Sequence, residues 1–241
     1  MKTVLNISLL GCLFASVTSY AAQKPYTLAY TANPPFTMTE NGKPQGYAVK
    51  IIAAVFAQAK IPYQFVEVPL ARAMENARTT KSYCVFPVQR AQNIEAEYQW
   101  VSPILVTRSG LFARSDFNEQ LITLDDAKKM TIGALRGSGD AEYLRGFGYT
   151  VEEATTQDQN IDKLLAKRFP LWATDAFSAN FFMQKKGATK EVLTFRSTLS
   201  SLACNTAMSK ADMSALQNTL DTMIKQGTLK KIAAMLTKHF N

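Results

Sequence analysis

From Tyr26 onward, short runs rich in β-branched and aromatic residues alternate with stretches whose apolar residues recur at helical spacing. Tyr26 to Tyr30 predicts a strand, Asn33-Pro34-Pro35 a turn, and Asn41-Gly42 a tip. After Gly46, the residues Ala48, Ile51, Ile52, Val55 and Phe56 fall on one face of a helix. Tyr63 to Val68 predicts a strand, Leu70 to Arg78 a helix, and Tyr83 to Val88 a third strand. Gly110 to Arg114 is a further strand, and Thr123 stands where it can cap a helix whose first turn carries Asp125 and Asp126. A second series then begins, with strands at Met130 to Leu135 and Leu171 to Thr174. Its helices lie at Asp140 to Arg145, Ile161 to Lys167 and Asp175 to Lys185, and Gly137-Ser138-Gly139 forms a turn. Ser201 to Met208 predicts one more strand. The helices Lys210 to Lys225 and Leu229 to Phe240 close the chain, split by Gln226-Gly227. Two similar half-size β-α series with no flexible linker predict an α/β protein of two lobes that share strands, with a crevice between them.

The start of the chain has a different pattern. Lys2 precedes an apolar run from Val4 to Val17, interrupted by Asn6 and Ser8, and small residues follow around Ser19 to Ala22. This is the form of a secretory signal peptide, with cleavage expected after Ala21 and the mature protein in the periplasm. The apolar run is shorter than the roughly 20 residues a membrane span needs. Leu9-Leu10-Gly11-Cys12 has the form of a lipoprotein box whose Cys12 would be lipidated; it lies very early and ranks second.

Charge and composition narrow the chemistry. The formal net charge is +8 and 47% of residues are hydrophobic, ample for a core. The bases are scattered without a block of five or six, which fits a solvated basic surface and argues against nucleic-acid binding. The only histidine, His239, lies near the C-terminus, so a Ser-His-Asp site or a histidine-rich metal site is not expected. Neither a metal nor a cofactor is expected. Cleavage removes one of three cysteines and leaves Cys84 and Cys204, both in apolar strand-like runs. An oxidising compartment lets them bond, and two separate buried thiols are the equal alternative.

The order of several short motifs resembles the family 3 extracellular solute-binding proteins, the polar amino-acid-binding group. They are Pro34-Pro35-Phe36, Gly46-Tyr47, Trp100-Val101-Ser102-Pro103, Leu124-Asp125-Asp126, Gly137-Ser138-Gly139 and Trp172-Ala173-Thr174-Asp175. The resemblance implies the two-lobed, type II periplasmic-binding-protein fold: mixed, mainly parallel sheets with helices on both faces, and two crossing hinge strands. Lobe 1 would comprise residues 22–110 and 204–241, and lobe 2 residues 111–203, with the crossings near Ser109 to Arg114 and Arg196 to Ala203. It implies a monomer that captures a small polar, amino-acid-like solute bearing an anionic group and hands it to the membrane permease of an ABC transporter. A sensory or accessory binding protein is the alternative. So is an enzyme like the cyclohexadienyl dehydratases on the same fold, although no pair of carboxylates here points to one.

The resemblance also assigns roles. The turn Gly137-Ser138-Gly139, at a helix N-terminus, would receive the ligand's carboxylate; read from the residues alone, it is a strand-to-helix turn. Asp175 would hold the ligand's ammonium group, a role compatible with capping the helix that follows. The family's carboxylate-binding arginine is missing, with Ile94 in its place. Arg90, at a strand's carboxyl end, is the first replacement, ahead of Arg72 and Arg108. Leu70 stands where the family commonly has an aromatic shelf, and Tyr30 and Phe36 could supply the apolar wall.

Overall fold

The computed structural model describes residues 24–187 and 189–237. The expected leader with Cys12, its expected cleavage after Ala21, and His239 lie outside the described residues. The first half runs β1 (Tyr26–Tyr30), β2 (Met38–Glu40), β3 (Lys43–Gln45), α1 (Tyr47–Gln58), β4 (Tyr63–Glu67), α2 (Leu70–Thr79) and β5 (Tyr83–Gln89). Here β1 lies between β4 and β5 and is parallel to both, while β2 and β3 form a hairpin. The long strand β6 (Gln99–Arg114) leads into the second half. There follow β7 (Thr131–Leu135), α3 (Gly139–Gly146), β8 (Thr150–Ala154), α4 (Gln157–Leu165), β9 (Leu171–Asp175) and α5 (Ala176–Lys186). In that half β7 is central and parallel to β8 and β9. The strand β10 (Thr189–Cys204) returns to the first half, where α6 (Lys210–Lys225) and α7 (Thr228–Thr237) follow.

The two parallel units are welded by the long strands. Antiparallel pairing joins β5 to β10, β10 to β6 and β6 to β9, giving one eight-stranded order β4-β1-β5-β10-β6-β9-β7-β8. Both long strands begin well before the apolar runs that predict them, β6 at Gln99 and β10 at Thr189. Their paired register holds polar residues in the sheet. The strand β8 has no counterpart in the apolar pattern, because its Thr150-Val151-Glu152-Glu153 stretch is mostly polar. Thr123 caps a single 3-10 turn, Leu124–Ala127, rather than a longer helix.

Separate apolar clusters hold the two halves. In the first, Ile51, Ile52, Val55 and Phe56 of α1 pack with Leu28, Phe86 and the α6 residues Leu216, Leu220 and Met223. In the second, Leu111, Ile132, Leu144 and Leu171 form one cluster, and Phe112, Ile161, Phe169, Trp172 and Phe182 another. Tight glycine packing sets the start of α1: a Cβ on Gly46, at φ +113°, would lie 2.3 Å from the Phe36 carbonyl oxygen. Cys84 and Cys204 stand directly opposite each other in the β5–β10 pairing and are bonded, with S–S 2.08 Å.

Candidate functional site

Alternation along the crossing strands builds the floor of a cleft. Leu105, Thr107 and Ser109 of β6 and Thr198 and Ser200 of β10 are buried, with Arg196 half-buried, while the intervening Val106, Arg108, Ser197 and Leu199 are exposed. Ser109 is paired with Arg196 on one side and with Asp175 of β9 on the other. Directly opposed residues share a face of the sheet, so Arg196, Ser109 and Asp175 form one row across three strands. Above the floor is a cavity of about 800 Å³, walled on one side by residues such as Phe36, Leu70, Met74 and Ile94 and on the other by the α3 turn and Asp175.

Asp175 ends β9 and caps α5. Its Oδ1 accepts from the Ser178 N–H at 2.8 Å and its Oδ2 from the Ser178 hydroxyl at 2.6 Å. No lysine, arginine or histidine pairs with it among the described residues. Burial pushes its carboxyl up from 3.8 to about 6. The Ser178 bonds oppose that shift and the nearby Asp140 charge adds to it.

Two arginines line the cleft, Arg145 and Arg196, and Arg196 stands in the row on its floor. Its Nε and Nη2 donate to Asp140 Oδ1 at 3.1 and 2.7 Å, and Nη2 also donates to Gln89 Oε1 at 2.6 Å. Gln89 Nε2 donates to the other Asp140 oxygen at 3.1 Å, and the guanidinium lies 4.6 Å above the Tyr143 ring. This cluster joins β5, α3 and β10. Two further contacts cross the cleft: the Ser178 hydroxyl lies 3.2 Å from Asn33 Oδ1, and the Phe36 and Phe177 rings meet edge to face at 5.9 Å. The two halves are closed on each other.

Of the residues singled out in the sequence, Phe36, Leu70, Gly137, Ser138, Gly139 and Asp175 line this cavity. Ser138 caps α3, accepting from Ala141 N–H at 3.2 Å. The two glycines of that turn face the other lobe: a Cβ on Gly137 would lie 3.4 Å from Ala71, and one on Gly139 2.4 Å from Gln89 Oε1.

Two residues are placed elsewhere. Arg90 forks onto Glu95 and lies 5.7 Å above the Trp100 ring, with its side chain 40% exposed. Strand alternation turns Gln89 into the cleft and Arg90 out of it. Tyr30 is 2% exposed and sits in the first core between Phe65 and Phe86, its hydroxyl 2.7 Å from Thr39 Oγ1. Thr31 and Asn33, of opposite parity, line the cavity instead. Gln89, Asp140 and Arg196 were not singled out as site residues. A readable signal for Arg196 was its even spacing from Ser200 in the strand.

Two closed α/β halves joined by paired crossing strands, with a polar row at the bottom of the cleft, are a ligand-clamping architecture. The family model of bacterial extracellular solute-binding proteins, family 3, matches residues 26–239. The chain belongs to this family. Solved structures agree on the two-lobed fold of the family 3 proteins. An ancestral arginine-binding protein bound to glutamine superposes with a TM-score of 0.78 at 18% identity, covering 88% of this chain and 96% of that one. The arginine-, lysine-, histidine-binding protein ArtJ from the thermophilic bacterium Geobacillus stearothermophilus gives 0.78 at 16% identity, covering 87% and 94%. A histidine kinase sensor domain with similarity to periplasmic binding proteins gives 0.80 at 16%, covering 88% and 95%. No curated protein sequence matches the chain. Family 3 and these neighbours are mostly binding proteins rather than enzymes.

Proposed function

We propose that this family 3 protein is a periplasmic substrate-binding protein that captures a small amino-acid-like solute in the interlobe cleft and delivers it to an ABC-type permease. The observation that carries this reading is Asp175, a buried carboxylate at the cavity wall with no cation beside it among the described residues. An ammonium group of a solute supplies the missing partner, and the closed lobes then exclude water from the pair. Closure follows from contacts the ligand makes in the closed state and not in the open one. Phe36 and Leu70 form the apolar wall and the 137–139 turn the opposite one. The lobes divide as 22–110 with 204–241 and 111–203, the crossing strands being shared between them. The bonded Cys84 and Cys204 support export, since such bonds persist in oxidising compartments. Turnover is not part of this reading: Asp140, the second buried carboxylate of the cleft, is committed to Arg196.

A melting-temperature screen of the exported protein against amino acids, amines, organic acids and short peptides tests capture. A ligand present at 100 times its Kd adds about 2.7 kcal/mol to the native state, a rise of several degrees. Silence across the panel would remove the reading. Sensory use of the same fold is separated by crosslinking in membranes: capture of a permease subunit supports transport, and capture of a receptor kinase supports signalling.

Gly139→Ala tests closure. The added methyl group would sit 2.4 Å from Gln89 Oε1 and 2.9 Å from Gln89 Cβ, so the lobes could not close to the observed distance. Titration should show capture weakened about tenfold, close to 1.4 kcal/mol, with the melting temperature of the unliganded protein little changed. Unaltered affinity would mean that closure does not bring Gln89 onto this turn.

A further inference from the structure

Both arginines that line the cleft are held by the protein's own acids. Arg196 is fixed by Asp140 and Gln89, and Asp140 is only 5% exposed, so this ion pair is largely out of water. Arg145 contacts Glu142 and, at 3.1 Å, Glu153. The cavity wall carries three acids, Asp140, Glu142 and Asp175, against those two arginines, and no lysine or histidine. In a chain of formal charge +8, the site itself is therefore acidic. At the α3 N-terminus, Gln89 lies against Gly139 and Ser138 Oγ accepts from the Ala141 N–H.

A zwitterionic amino acid brings a carboxylate that would have to share Arg196 with Asp140, which with Gln89 already takes Nε and Nη2 and leaves only Nη1, so two carboxylates would crowd one largely buried guanidinium. An organic cation needs no such sharing. It meets Asp175 with its ammonium group and lays its body on the wall of Phe36, Leu70, Met74 and Ile94. From the paired arginines, the unpaired Asp175 and this apolar wall, we propose that the cleft selects an amphiphilic organic ammonium cation lacking a carboxylate. This rests on the reading of the cleft as the solute site and narrows its ligand. The role of Asp140 is to occupy Arg196 and so to refuse amino acids, discrimination by an internal competitor.

Calorimetric titration at pH 7.5 with matched pairs tests it: 2-phenylethylamine with L-phenylalanine, agmatine with L-arginine, and histamine with L-histidine. The wild-type protein should bind at least one amine tenfold or more tightly than its amino acid. Asp140→Asn, which releases Arg196, should shrink that ratio at least tenfold by improving the amino acid. The wild-type comparison stands alone should the variant fail to fold. Amino acids binding as tightly as their amines, or more tightly, would overturn the proposal and leave solute capture standing. So would silence of all six compounds while another solute class raises the melting temperature. Silence to every class would overturn both.

Discussion

At pH 8 and without ligand, Asp175→Asn should be more stable than wild type by about 3 kcal/mol, yet capture ammonium ligands at least tenfold more weakly. The carboxyl of Asp175 is raised from 3.8 to about 6, first by burial. A folded-state value above the unfolded one means that the native protein holds this proton more tightly. The stability linked to it is therefore complete below about pH 4 and is lost as pH rises through about 6. The difference between 3.8 and about 6, at about 1.36 kcal/mol per pH unit, gives the roughly 3 kcal/mol figure. Asparagine has no proton to lose, and its side-chain oxygen can still accept from Ser178 N–H, so the cap on α5 is kept. Melting curves at pH 4.5 and pH 8 read the difference. The variant's advantage should be small at the lower pH and about 6–12 °C at the higher. An equal advantage at both would mean that Asp175 is not an unpaired buried charge. The native protein thus carries a destabilising group at the place where a ligand would relieve it, the usual relation between a binding site and the fold that holds it.

Much of this was open to inspection in the sequence, and the residues show why the rest was not. The parallel units were legible because Tyr26 to Tyr30, Tyr83 to Val88 and Leu171 to Thr174 are buried on both faces and so read as nearly continuous apolar runs. The crossing strands were half legible. The crossings expected near Ser109 to Arg114 and Arg196 to Ala203 do lie in the long strands, whereas Thr107, Thr189 and Lys190 are polar residues that belong to the sheet through their partners. Register with a distant strand cannot be read from local pattern. Asp175 was singled out by the resemblance, and the structure shows it at the strand end, capping α5 and lining the cavity. Which arginine lines the cleft was not legible. Arg90 is nearer in sequence to the vacant position, but one residue of parity turns it outward to Glu95, and Arg196 arrives more than 100 residues later on another strand. Proximity along the chain was the wrong measure, and face of the sheet the right one.

Removing both sulfurs with Cys84→Ala and Cys204→Ala should lower stability by about 3–5 kcal/mol while leaving ligand affinity within about twofold. The bond closes a loop with a sequence separation of 120 residues that contains all of the second lobe. Loop-closure entropy for about 100 residues corresponds to about 4.7 kcal/mol, and native bonds typically contribute 2–5. Both cysteines are fully buried in the first lobe, where β10 pairs with β5, and neither lines the cleft. The effect should therefore appear as a lower urea midpoint and not as a changed Kd. A tenfold loss of affinity would show instead that the bond positions the crossing strand, and with it Arg196, eight residues before Cys204. Burial adds a second expectation: reductant alone should not open the bond in the native protein, because the attacking thiolate needs access to sulfur. Chain made in a reducing cytosol would lack the bond and resemble the double variant. Full stability would then depend on folding in an oxidising compartment.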